Sequence, residues 1–203
     1  PVRVEKLLED IKKQNEIDGI TLNNIVDGII YILGSDSSFE HIQDYMDMFE
    51  ELDFKLIPYI IYCINNSNKT EDSIVYGRAL INNEENEKTC FMYASALEKM
   101  GMELHDKENS ELSQLFLEEA NNYFEKCLEY NEKFALAYYK LGYYYKRKQQ
   151  YIKAELTWSK HRELDDDNLR IEEIRNELIQ LKPYVDFENG YNLVLKERPE
   201  EAL

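Results

Sequence analysis

The stretch ALAYYKLGYYYKRKQQYIKAELTW, residues 135–158, decides the fold. Ala137, Leu141 and Tyr145 recur every four residues, so they share one face of a helix that ends at the charged run Lys146-Arg147-Lys148. After a short polar link, Tyr151, Ala154 and Trp158 mark the inner face of a second helix. Two helices joined so briefly must run antiparallel and bury their apolar faces on each other. Where they cross, the residues are small: Gly142 on the first helix and Ala154 on the second, with Tyr138, Tyr145, Tyr151 and Trp158 around them. Small residues let the backbones approach, and the large rings fill the space beside the crossing. Neither helix can bury its apolar face alone, which calls for further hairpins stacked alongside.

A fixed period supports this. Ala120, Phe124 and Cys127-Leu128 recur 34 residues later as Ala154, Trp158 and His161-Arg162. In this pattern the chain resembles the tetratricopeptide repeat family. Counted from Ala135, it has Tyr138 at position 4, Leu141-Gly142 at 7 and 8, Tyr145 at 11, Tyr151 at 17, Ala154 at 20 and Trp158 at 24. It departs from the family at position 27, where His161 replaces Ala, and at position 32, where Asp166 replaces Pro. The motif is fullest over 117–168 and partial over 53–116 and 183–203. A repeat starting near Glu87 has Cys90, Tyr93, Ala94, Leu97 and Gly101, but carries 14 residues beyond the period before Ala120. The surplus must lengthen the A/B turn near 102–113 or the helix ends beside it. Residues 53–86 offer Leu56, Tyr59, Tyr76 and Ala79-Leu80. At the far end, Gly190, Leu193 and Pro199 to Leu203 match positions 8, 11 and 17–21 of a last repeat that breaks off, so the natural protein is expected to continue.

Outward from this core, helical periodicity is read almost throughout. A first helix covers Val4 to Gln14. A second follows an N-cap at Thr21 and is expected to stop at Gly34 in a left-handed C′ conformation, with Gly28 inside it a mild cost or a close helix contact. Ser37 and Glu40 form a capping box for a third. A helix over 54–65 is apolar all round and expects neighbours on both sides; its β-branched content leaves a strand open. Helices then follow at about 71–83, 87–101, 111–129, 134–147, 151–163, 169–181 and 187–197. The expected fold class is all-α: antiparallel helix hairpins stacked as a tetratricopeptide-like α-solenoid. Residues 1–52 form an N-terminal helical region without the motif, and 53–203 the repeat array.

Composition narrows the function. Of 203 residues only 7 are Gly and 4 Pro, too few for a many-stranded sheet. The net charge of -17 repels phosphate backbones and anionic lipids, so neither nucleic acid nor membrane is expected as a partner. That acidity either aids solubility alone or selects basic partners. Cys63, Cys90 and Cys127 lie in apolar helical patterns and suit buried, reduced thiols and a cytoplasmic location. His41, His105 and His161 are too far apart to suggest a metal motif, and neither a Gly-rich phosphate loop nor a His-Glu-x-x-His or Cys-x-x-Cys motif occurs. The chain is accordingly expected to be no enzyme, with no catalytic residue, metal or cofactor.

The family resemblance implies a concave groove lined by the first helix of each hairpin, at positions 2, 5, 6, 9, 12 and 13. Those positions hold Leu136, Tyr139, Lys140, Tyr143, Lys146 and Arg147, and in the preceding repeat Lys88, Phe91, Met92, Ser95, Glu98 and Lys99. Aromatic anchors with a few charged groups suit an extended peptide. The candidate partner-binding residues are Phe91, Ser95, Tyr139, Lys140, Tyr143, Lys146 and Arg147; Tyr143 could equally pack on a neighbouring helix. The carboxylate clamp of some family members is incomplete, with Leu136 and Ser95 at two of its positions. The expected function is a protein–protein interaction module. The alternatives are an accessory or regulatory helical domain of a longer enzyme or sensor, and a homodimerisation scaffold acting through the helix at 54–65.

Overall fold

A computed structural model describes residues 22–36, 38–107 and 109–195. Among these, nine α-helices and no strands occur: α1 (Leu22–Ser35), α2 (Ile42–Glu51), α3 (Leu56–Asn66), α4 (Thr70–Asn83), α5 (Glu87–Asp106), α6 (Ser110–Tyr130), α7 (Ala135–Arg147), α8 (Tyr151–Leu164) and α9 (Asn168–Leu195). The readings at Val4 to Gln14, Thr21, Ser37 and Pro199 to Leu203 lie outside the described residues. The chain divides into two compact units, Pro1–Ala120 and Asn121–Leu203, with α6 passing from one to the other.

The core of the first unit is built from α1 (Val26, Ile29, Ile30, Leu33), α2 (Met48, Phe49), α3 (Leu56, Ile60) and α4 (Ala79, Leu80). The expected left-handed cap at Gly34 is replaced by another role for that glycine. Helix α1 continues through it to Ser35, and a Cβ there would sit 2.0 Å from the Val75 carbonyl oxygen of α4. Gly34 is therefore the crossing point of α1 on α4, while a Cβ at Gly28 would meet nothing within 4 Å. Two more glycines seat the next helices. Gly77 of α4 faces the Tyr93 side chain of α5, and Gly101 of α5 faces Leu117 of α6. The Ser113 hydroxyl, buried at that last crossing, donates to the Gly101 carbonyl at 2.6 Å.

Helix α5 opens on a capping box: the Asn86 side chain accepts from the Lys88 and Thr89 amides, and Thr89 Oγ1 accepts from the Asn86 amide at 3.0 Å. The residues surplus to the repeat period lengthen helices, carrying α5 to Asp106 and starting α6 at Ser110. The segment at 54–65 is helical from Leu56 on, which closes the strand alternative; one face stays open, with Tyr62 60% exposed.

In the second unit α7 and α8 form the hairpin read from the sequence. A Cβ on Gly142 would lie 2.1 Å from Trp158 Nε1, so the indole occupies the space that glycine leaves open. Trp158 is fully buried and donates to the Tyr139 carbonyl at 3.2 Å. Ala137, Leu141, Tyr145 and Ala154 are buried around it. The hairpin turn places Gln149 at φ 57, the left-handed conformation that glycine adopts most readily. Tyr145 donates to Glu125 of α6 at 2.6 Å, with the Lys153 ammonium 3.9 Å from its ring centre.

Two helices expected at 169–181 and 187–197 are one. Helix α9 runs unbroken through Pro183. Its buried residues Ile174, Leu181 and Val185 fall on a single stripe against the rest of the unit, whereas Pro183 is exposed. The hydrogen bond that proline cannot make is thus lost on the solvent side, where water can serve the carbonyl.

Candidate partner-binding groove

Helix α5 presents Phe91, Met92, Ser95, Ala96 and Lys99 to a cavity of about 420 Å³ in the first unit. The spacings of three and four that place these residues on one face follow from the helical repeat. The opposite wall is supplied by Ile64 and Asn65 at the end of α3, by Ser67 beyond it, and by Ser73 of α4. Four of the six positions read as groove-facing in this repeat therefore line the cavity. Glu98, read the same way, is buried at 5% exposure and is not part of the lining.

The serine hydroxyls of the cavity have a common character. The Ser95 hydroxyl donates to the Phe91 carbonyl at 2.8 Å, Ser67 to the Lys69 carbonyl at 2.8 Å, and Ser73 to the same carbonyl at 3.3 Å. Each hydroxyl has spent its hydrogen on the backbone, so what it offers a ligand is oxygen lone pairs. The last turn of α3 adds the negative end of a helix dipole. Lys99 stands at the rim, its ammonium 3.9 Å from Glu103, which also accepts from Thr70 at 2.7 Å.

The other candidate residues lie on α7, in the second unit. Tyr139 and Tyr143 both donate to Glu173 of α9, at 2.9 and 2.5 Å, and Lys146 pairs with Glu177 at 2.5 Å. Their rings are packed as well: Tyr143 lies edge-on to Trp158 at 4.9 Å, and Tyr139 is 5.4 Å from His161. Burial, with the Glu173 hydrogen bond next, raises the pKa of both phenols. Lys140 is half-buried and Arg147 exposed. The structure thus brings Phe91 and Ser95 together on a cavity wall, and Tyr139, Tyr143 and Lys146 together against α9, in separate units.

Beside the α7 face sits a buried polar junction. His161 is fully buried; its Nδ1–H donates to the Ala135 carbonyl at 3.2 Å, and its Nε2 lies 3.3 Å from Asp165 without hydrogen-bond geometry. Arg170 grips Asp165 through Nε at 2.7 Å and Nη2 at 2.8 Å. Those bonds hold the Asp165 carboxyl down at about 2. Burial lowers the His161 pKa. It outweighs the neighbouring carboxylate because Arg170 already neutralises that charge. Among the described residues no group of three or more His, Cys, Asp or Glu side chains could hold a metal ion, and no helix is long and apolar enough to cross a membrane.

Residues 123–155 match the tetratricopeptide repeat. The match spans the end of α6, all of α7 and the start of α8, the part with Gly142 at its centre. No curated protein and no solved structure matches the chain. Among the described residues the fold is accordingly all-α, a repeat-like packing of helices consistent with a tetratricopeptide-like α-solenoid.

The far wall of the cavity escaped the sequence, because residues 64–73 lie outside the repeat to which α5 belongs. The acceptors of α7 carried a signal: Tyr139 and Glu173 stand 34 residues apart, one repeat length.

Proposed function

We propose that this protein is an interaction module that holds a peptide or protein partner on its helix hairpins and performs no chemistry on it. The observation that carries this is the cavity of about 420 Å³ whose α5 wall is made of Phe91, Met92, Ser95 and Lys99. An apolar floor with a few polar groups at its edge is the usual make-up of a binding cleft. The α7 residues form a second candidate surface, which a partner reaches by displacing Glu173 and Glu177 from Tyr139, Tyr143 and Lys146. Affinity recovery from native lysate tests both. A Phe91→Ala/Ser95→Trp variant should lose the partner, whereas equal recovery by wild type and variant would remove the groove. The Tyr139→Ala/Tyr143→Ala/Lys146→Glu variant tests the α7 surface in the same way.

Self-association is a second reading, favoured by the exposed aromatics late in α9. Phe187 is 74% exposed and stacks on Tyr191 at 6.5 Å, with Tyr184 and Leu195 exposed nearby. Contiguous apolar surface of this kind marks interaction sites. Light scattering decides it, since a strict monomer at high concentration would end that reading.

A further inference from the structure

The charge of this chain is distributed unevenly between its two units. Residues 1–120 hold 10 of the 24 Lys and Arg and 25 of the 41 Asp and Glu, a net charge of -15, whereas residues 121–203 hold 14 and 16, a net of -2. The cavity belongs to the acidic unit. Inside it, the Ser73 and Ser95 hydroxyls have donated their hydrogens to backbone carbonyls, and the α3 helix ends at its wall with its negative pole. The floor is apolar, from Phe91, Met92 and Ile64. One cation, Lys99, stands on the rim beside Glu103.

We propose that the cavity between α3 and α5 takes an apolar anchor side chain from a basic peptide segment, whose Lys or Arg groups lie along the acidic first unit. This rests on the reading that the groove holds a partner, and it adds the chemistry of that partner. Phe91 and Met92 receive the anchor. The serine oxygens and the α3 terminus accept hydrogen bonds from the flanking ammonium or guanidinium groups. The surplus of carboxylates draws the segment in, so association is fast at low salt and weakens as salt rises. Lys99 is the group that works against such a ligand.

The test uses the full chain and fluorescence anisotropy with three labelled peptides of equal length. One carries a central Phe flanked by Lys and Arg, the second the same Phe flanked by Glu, and the third the basic flanks with Gly in place of Phe. Far-UV circular dichroism confirms that each variant is folded. The basic Phe peptide should bind at least tenfold tighter than either of the others. Its affinity should fall at least tenfold in Ser95→Trp, which fills the cavity, and rise about threefold in Lys99→Glu. Tighter binding of the acidic peptide, lost in Ser95→Trp, would overturn the charge assignment and leave the groove standing. Equal binding of the basic peptides with and without Phe, unchanged in Ser95→Trp, would show only a polycation on an acidic surface, and the cavity would drop out. No binding of any peptide would overturn the proposal and the groove reading for this unit together. A concentration-dependent dimer of the chain alone, dissolved by Ser95→Trp, would assign the cavity to a second copy and overturn it as well.

Discussion

Gly142→Ala places a methyl carbon 2.1 Å from Trp158 Nε1, 2.3 Å from Cδ1 and 2.6 Å from Cε2. Ordinary contact begins near 3.4 Å, so the indole must retreat by more than 1 Å. It has little room, being fully buried, edge-on to Tyr143 and hydrogen-bonded to the Tyr139 carbonyl. Overpacking of a core costs about 1–3 kcal/mol. An indole N–H pulled from its acceptor adds about 1–3 kcal/mol. The better helix propensity of alanine returns about 1 kcal/mol. The net loss is about 3 kcal/mol, a drop on the order of 10–20 °C in the melting temperature of a unit this size. Trp158 is the only tryptophan in the chain, so urea unfolding followed by its fluorescence reads the second unit directly. Adding Trp158→Phe should recover part of the loss, because the smaller ring vacates the space that the methyl needs. A Gly142→Ala midpoint equal to wild type would refute the crossing argument, and with it the physical reading of the repeat.

Three further outcomes follow from other parts of the structure. Gly34→Ala sets a Cβ against the Val75 backbone and should destabilise the first unit by about 3 kcal/mol, whereas Gly28→Ala, with open space around it, should be neutral or gain up to about 1 kcal/mol. Thermal melts by circular dichroism compare the two, and equal effects would contradict the α1–α4 crossing. Gln149→Gly relieves a left-handed residue in the α7–α8 turn and should raise stability by about 1 kcal/mol in urea unfolding. Acidification should weaken the second unit in two windows. Buried His161 binds its proton less readily than it would unfolded, so stability begins to fall below about pH 6.5. Asp165 titrates near 2 when folded and near 3.8 otherwise, so the stability it contributes, about 2 kcal/mol, is present above pH 4 and lost as pH falls towards 2. Asp165→Asn should remove the lower window and His161→Gln the upper one; unchanged pH profiles would show that the junction carries no linkage.

What could be read in advance was local and periodic. Gly142, Ala154 and Trp158 declared their crossing because small and large residues alternate at fixed spacing along two adjacent helices. Of the two readings of Gly28, the mild helix cost stands and the close contact does not, since a Cβ there meets nothing within 4 Å; only a partner helix distant in sequence decides that Gly34 meets Val75. Helix α9 joins two segments expected separately, 169–181 and 187–197. Pro183 is a helix breaker by propensity, but Leu181 and Val185 on the buried stripe override it. Phe91 and Ser95 were assigned from repeat positions, while the wall facing them comes from another helix pair. Tyr139, Tyr143 and Lys146 of α7 are brought together against α9, where Glu173 and Glu177 already meet them.

Pro183 also divides α9 in a way its smooth course conceals. With no amide at that residue, the ladder of hydrogen bonds has a missing rung between an inner stretch anchored by Ile174 and Leu181 and an outer stretch held by Val185. The outer stretch has few buried side chains to lose, so its amides should exchange with solvent well before those of the inner one. One end of this helix can then loosen and re-form while the other keeps the second unit intact.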